Sequence, residues 1–135
     1  MKKIRILALT KSTGGISFYN KMLLAALDPQ KFESHTICLS DNAEAYAANL
    51  QAAGQSAEVF AMARYRISPA SDLRVLRHVL AVARDRRSSL LLGHGSKAGF
   101  IARAAGRIAG IPAIYRQASM PFLRRFQGGK APIYW

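Results

Sequence analysis

The stretch Leu90-Leu91-Leu92-Gly93-His94-Gly95-Ser96-Lys97-Ala98-Gly99 decides the reading of this chain. Ser89 to Leu92 is nearly all leucine, the composition of a parallel strand buried on both faces. It ends in a glycine-flanked histidine, and a helical pattern follows at once. In an open α/β sheet this is where ligands bind, outside the carboxyl ends of the strands. Two readings of the segment stand side by side. In one, His94 is a hydrogen-bonded strand-end residue, Ser96 caps the next helix and Lys97 is solvated. In the other, His94 is a polar contact to substrate and Gly95 gives close approach. Ser96 and the free N–H groups of the helix then face phosphate or another anion.

Working outward, strand and helix patterns alternate along the whole chain. Ile4 to Thr10 is an apolar run of strand length, broken by Thr13-Gly14-Gly15. Ser17 to Leu27 follows as a helix, with Phe18, Met22 and Ala25 or Ala26 on one face. Ser34 to Ser40 reads as a second strand, Ala43 to Ala53 as a helix closed by Gly54, and Ala57 to Met62 as a short third strand. Ser68-Pro69 has the form of an N-cap with proline at the first helical position. Leu73, Leu76, Val79, Leu80 and Ala83 then share one helical face. Lys97 to Ala109 is the next helix, with Phe100, Ile101, Ala104, Ala105 and Ile108 as the expected buried stripe. Gly110 ends it, and Pro112 to Tyr115 opens a fifth strand. The alternation predicts an α/β domain: a Rossmann-like parallel sheet with helices on both faces. Met120 to Trp135 carries Gly128-Gly129 and two prolines and is expected to be an irregular tail.

Composition narrows the class. The 135 residues are half hydrophobic, which fits a globular domain with a real core. Twenty Lys and Arg against seven Asp and Glu give a formal charge of +13. Asp85 is the last acidic residue, so the excess is concentrated in the second half. Such a field attracts anionic partners. The Asp72 to Arg87 segment is a basic amphipathic helix, either an ordinary solvated one or one that lies on an anionic membrane surface. Nucleic acid is not an expected partner, because the aromatic residues do not interleave with the basic ones as a stacking platform requires. The single Cys38 excludes an intrachain disulfide and sits in a strand-like run, as a structural thiol would. No apolar run reaches transmembrane length. The opening Met1-Lys2-Lys3-Ile4-Arg5 is better explained as a first strand than as a signal peptide.

Gly14-Gly15 lets the backbone turn sharply after the first strand and approach a ligand without a Cβ in the way. The spacing is not G-x-G-x-x-G, so the dinucleotide fingerprint is absent. No second histidine or carboxylate near His94 completes a metal site, and His35 and His78 fall in other elements.

Four segments, in co-linear order, resemble the N-terminal domain of the GT-B glycosyltransferases of family 4. They are Lys3-Ile4-Arg5-Ile6-Leu7 with Gly14-Gly15; Leu24 to Leu27 with Pro29-Gln30-Lys31-Phe32-Glu33; Leu50-Gln51-Ala52-Ala53-Gly54; and His94-Gly95-Ser96-Lys97-Ala98-Gly99 with Ala109-Gly110-Ile111-Pro112. The last is the most specific. Two departures stand out. Ser89 and Leu92 occupy positions where the family carries an aspartate and a first histidine. Tyr115-Arg116-Gln117-Ala118-Ser119 stands where it often has histidine-glycine. They point to an altered acceptor pocket or a degenerate copy.

The resemblance implies one half of a GT-B fold, with residues 1–119 as the acceptor-side domain and residues 120–135 leading toward a second domain. It implies retaining transfer of a sugar from a nucleotide-sugar donor to a glycan or lipid-linked acceptor, in cell-envelope polysaccharide or lipopolysaccharide synthesis, with no cofactor and no essential metal. His94 would face the donor sugar as the catalytic-site histidine, with Gly14, Gly15, Gly95, Ser96 and Lys97 binding substrate. In the family the second domain holds the donor and the paired glutamates, so these 135 residues alone are expected to be inactive. The implied location is cytoplasmic, peripheral on the inner face of the membrane. The alternative is a non-catalytic basic α/β module that binds an anionic ligand or a membrane surface.

Overall fold

The computed structural model describes residues 2–40, 42–62 and 68–117. The expected tail at 120–135, and with it the domain boundary at 119, lies outside them. Nine elements alternate as expected: β1 (Ile4–Lys11), α1 (Gly14–Ala25), β2 (Phe32–Leu39), α2 (Ala43–Ala52), β3 (Ser56–Val59), α3 (Pro69–Asp85), β4 (Leu90–His94), α4 (Ser96–Ala109) and β5 (Ala113–Arg116). The strands form one sheet in the order β3-β2-β1-β4-β5, and every pairing is parallel.

Central β1 explains the arrangement. Leu7, Ala8, Leu9 and Thr10 are fully buried, because both of its faces are covered. Leu7 and Leu9 pack with Val75 and Val79 of α3 and with Ile101 and Ala105 of α4. Ile6 and Ala8 pack on the other side with Leu24 of α1 and Leu92 of β4, and α2 covers Cys38 of β2 there. Helices α1 and α2 thus form one layer, α3 and α4 the other.

Two helices present faces that the periodicity misassigned. The buried residues of α1 are Ser17, Asn20 and Leu24, whereas Phe18 and Met22 are exposed. A polar network pins this face in place of an apolar stripe. Asn20 Nδ2 donates to Tyr46 Oη at 3.1 Å, and Tyr46 Oη donates to the Ser17 carbonyl at 2.7 Å. In α4, Phe100 and Ile108 are also exposed, and the helix instead buries Ala98, Gly99, Ile101, Ala102, Ala105 and Gly106. Small residues win because the helix lies close on the sheet. A Cβ on Gly93 would stand 2.6 Å from Gly99 Cα, and one on Gly99 would collide with the Tyr115 ring. On α3 one residue expected on the buried face, Leu73, is exposed, while Val75, Val79, Val82 and Ala83 are buried.

Candidate functional site

The strands β1 and β4 are neighbours whose connections diverge, β1 leading toward β2 and β4 toward β5. In open α/β sheets such a divergence marks the carboxyl ends where ligands bind. Thr10 and His94 are register partners there. Helix α1 starts at Gly14 and α4 at Ser96, so two helix N-termini meet the same edge. Neither has a side-chain cap, which leaves first-turn N–H groups available. The cap of α4 is Gly95, one residue before the expected Ser96, and its φ of +85° explains the glycine. Gly95 approaches the first turn of α1: a Cβ on it would lie 3.4 Å from Ile16 Cδ1. Gly14 (φ +73°) and Gly15 have open space where a Cβ would stand.

The His94 side chain lies two residues beyond Leu92 and so faces the α1 layer. It is only 1% exposed. Neither ring nitrogen has a hydrogen-bond partner among the described residues. Buried polar groups are nearly always paired, so this imidazole stands out. Its cover includes Tyr19 of α1, whose ring meets the imidazole edge-on at 5.9 Å between centroids. The Arg116 guanidinium in turn lies 3.6 Å over the Tyr19 ring. Burial first, and the Arg116 charge second, push the His94 pKa down to about 4. The ring is therefore neutral at neutral pH, with one nitrogen able to donate and the other to accept.

Lys97 belongs to the other layer. Its Nζ lies 2.7 Å from Asp72 Oδ1, tying the first turn of α4 to that of α3. Ser96 is exposed at the start of α4. Cys38 is buried and its thiol is pushed up to about 12 by burial, which leaves it without thiolate chemistry. His35 and His78 share one carboxylate: Glu58 Oε2 is 3.1 Å from His35 Nε2, and Oε1 is 2.6 Å from His78 Nε2. Among the described residues no group of three His, Cys, Asp or Glu side chains is arranged to hold a metal ion, and no helix is long and apolar enough to cross a membrane.

Tyr19, Asn20 and Arg116 are the residues at this edge that the sequence reading left out. Arg116 had a signal: it stands in the strand-five segment where the family pattern is broken. Tyr19 had none, because the helix phase was set by Phe18 and Met22.

The fold defines the class: a Rossmann-like α/β domain that is one half of a GT-B arrangement. A family model described as "Glycosyl transferase 4-like domain" matches residues 14–135, and the chain belongs to that family. It is thus a glycosyltransferase 4-like domain. Solved structures agree in fold. A protein designated UDP-N-acetylglucosamine 2-epimerase from Listeria monocytogenes superposes with a TM-score of 0.71 at 16% identity, covering 98% of this chain and 36% of that one. The UDP-GlcNAc 2-epimerase of Neisseria meningitidis, bound to UDP-GlcNAc, gives 0.66 at 13% identity, with 96% and 36% covered. MurG of Acinetobacter baumannii gives 0.61 at 12% identity, with 84% and 35% covered. The chain therefore spans about a third of the length of each of these proteins. A comparison with curated proteins returns no match.

Proposed function

We propose that this domain forms the acceptor-side wall of a retaining glycosyltransferase that moves a sugar from a nucleotide-sugar to a glycan or lipid-linked acceptor. One observation carries the reading: a buried imidazole with two unpartnered nitrogens, set between two uncapped helix N-termini at the carboxyl edge of a parallel sheet. A neutral His94 would hold a sugar hydroxyl by one ring nitrogen and leave the other for a second polar contact. Gly14 and Gly15 would admit the donor phosphates close to the backbone, and the N-termini of α1 and α4 would favour their charge. Those fixed dipoles, with Gly95 and Ser96 at the α4 end, stabilise a leaving phosphate without reorganising. Lys97, held by Asp72, would set the position of that first turn. Tyr19 and Arg116 cover the ring, so entry of a sugar requires this pair to swing aside.

In this reading the domain works in the cytoplasm, peripheral on the inner face of a membrane, in cell-envelope glycan synthesis. The excess of positive charge also favours a second reading, a non-catalytic module that binds anions.

The test is an isotope-labelled chain titrated with UDP-N-acetylglucosamine, the ligand of the Neisseria structure, and separately with inorganic phosphate. The sugar nucleotide is expected to shift the His94 ring signals together with the amides of Gly14, Gly15, Gly95 and Ser96. Identical shifts with phosphate alone would support the anion-binding module instead. A folded chain whose His94 signals stay fixed at saturating ligand would sink the proposal.

A further inference from the structure

A second concave feature lies away from the His94 edge. Leu80, Ile108 and Ile111 floor a groove of about 610 Å³ between the C-terminal halves of α3 and α4, and Arg77, Arg84 and Arg87 line its rim. Ile108 is 63% exposed. We infer that this groove is the docking site of a partner protein, which lays an acidic amphipathic helix between α3 and α4. The inference goes beyond the reading above and does not depend on sugar transfer.

The lining defines the occupant. A concave apolar floor between two helices is the shape that receives the apolar face of a third. From Arg77 to Arg84 the α3 wall runs about 10 Å, or two helical turns, so it accepts apolar anchors one and two turns apart. The arginines require carboxylates beside those anchors. A guanidinium holds a carboxylate by two parallel N–H bonds while its stem packs on apolar neighbours. No carboxylate lines the groove. Asp85 reaches Arg84 at 3.4 Å with both side chains largely exposed, and such a pair contributes little. Among the described residues no carboxylate pairs with Arg77 or Arg87.

Other occupants fit less well. A second copy of this chain brings its own formal charge of +13 against the same arginines. It also lacks the required helix among the described residues. Helices α1 and α4 hold no acidic residue, α2 holds Glu44 alone, and Asp72 and Asp85 of α3 stand thirteen positions apart (85 − 72). A nucleic-acid backbone satisfies the arginines and leaves Ile108 and Ile111 without a complement. A flat lipid surface does not fill a concave floor.

An independent observation singles out Arg87. Helices α2, α3 and α4 all end in the same turn, in which a left-handed residue is followed by an N–H that closes back onto the helix. Gln55 N–H donates to the Leu50 carbonyl, Ser88 N–H to that of Ala83, and Ile111 N–H to that of Gly106. In α2 and α4 the left-handed residue is glycine, Gly54 at φ +76° and Gly110 at φ +68°. In α3 it is Arg87, at φ +51°. Glycine takes this conformation without the steric cost of a Cβ. An arginine stands there instead, on the groove rim. Backbone strain of this kind persists where the side chain serves recognition.

The groove opens near the amino ends of β4 and β5, so a docked helix leaves the carboxyl edge with His94 uncovered.

The test is titration of the isotope-labelled full chain with a synthetic peptide of about sixteen residues, long enough to form a helix alone, with leucines on one face flanked by glutamates. Saturable binding is expected to shift the methyl signals of Leu80, Ile108 and Ile111 and leave the amides of Gly14, Gly15 and Gly95 fixed. Arg77→Glu with Arg87→Glu should weaken binding about tenfold or more. Lys21→Glu with Lys31→Glu changes the charge equally away from the groove and should weaken it less than about threefold. Ile108→Ser should weaken it about tenfold at unchanged charge. Arg87→Gly is the decisive variant: it should unfold at higher denaturant than the wild type yet bind the peptide less. Absence of binding by the folded chain would overturn the proposal. So would equal losses in the groove and control pairs, affinity untouched by Arg87→Gly, or equal affinity for a peptide with serine in place of leucine. Flotation with phosphatidylglycerol vesicles that depends on Arg77 and Ile108, in place of peptide binding, would overturn it in favour of a lipid surface. The groove and His94 lie at opposite ends of the strands, so the peptide and the sugar nucleotide read separate signals and each reading fails on its own.

Discussion

His94 and Arg116 are register partners on β4 and β5, and the guanidinium of Arg116 rests on the Tyr19 ring that touches the imidazole of His94. A cation is thereby held beside a buried base without a hydrogen bond to it. This lowers the affinity of the ring for a proton and keeps it in the form that exchanges hydrogen bonds with hydroxyl groups.

Removing that cation has a directional consequence. Arg116→Gln is expected to raise the His94 pKa from about 4. It should stop short of 6.5, because burial is the larger cause. The check is a pH titration of the His94 ring signals in both proteins. An unchanged midpoint would show that Arg116 exerts no field at the ring.

The close approach of α4 to the sheet yields a packing prediction. Gly93→Ala places a Cβ 2.6 Å from Gly99 Cα and 2.8 Å from the Ala98 carbonyl oxygen. These are backbone atoms, so relief requires moving the helix. Destabilisation of about 1–3 kcal/mol or more is expected from overpacking of this kind, read by urea unfolding. Gly15→Ala, within α1 and with open space at its Cβ, should be neutral or stabilising by up to about 1 kcal/mol. Similar losses for the two variants would refute the proposed close packing.

The polar network beneath α1 is equally testable. Tyr46→Phe removes the donor to the Ser17 carbonyl and the acceptor for Asn20 Nδ2. Both partners are buried, so a loss of about 1–3 kcal/mol is expected for groups left unpaired. Amide exchange in α1 should quicken with it. A stability within about 0.5 kcal/mol of wild type would mean that water replaces the phenol.

The fold was legible because its signals are redundant. The leucine run into β4, the strand lengths and the Gly110 and Ser68-Pro69 boundaries each point to one α/β alternation. The position of His94 followed from that topology alone. Which helix face was buried did not follow, because periodicity rewards large apolar side chains. In α1 the sheet is met by Ser17 and Asn20, and in α4 by glycine and alanine. The cover over His94 was illegible for another reason. Tyr19 and Arg116 are 97 positions apart in the chain (116 − 19), and only the β4–β5 register brings them together.

The buried histidines make stability depend on pH in a defined window. In the unfolded chain His94 titrates near 6.5, and in the folded domain near 4. Above 6.5 it is neutral in both states and contributes no dependence. As the pH falls below 6.5, the unfolded state takes up a proton that the folded state refuses, so stability drops. The loss is complete once the pH passes the folded value. It amounts to about 3 kcal/mol. His35 acts in the same direction, its pKa lowered chiefly by burial against the opposing pull of Glu58. Glu58 enters at lower pH. Its own pKa is held below 4.5, burial being outweighed by the hydrogen bonds from His78 and His35. Its stabilisation is present above 4.5 and disappears as the pH falls through the folded value. Denaturant unfolding of the wild type should therefore show stability flat from 6.5 up to the alkaline range in which the unfolded Cys38 thiol begins to ionise, and declining steadily from 6.5 toward 4. His94→Gln should remove most of the decline between those values, and Arg116→Gln a smaller part of it. A wild-type profile that stays flat down to 4, or a His94→Gln profile as steep as the wild type, would contradict a buried neutral imidazole at this edge.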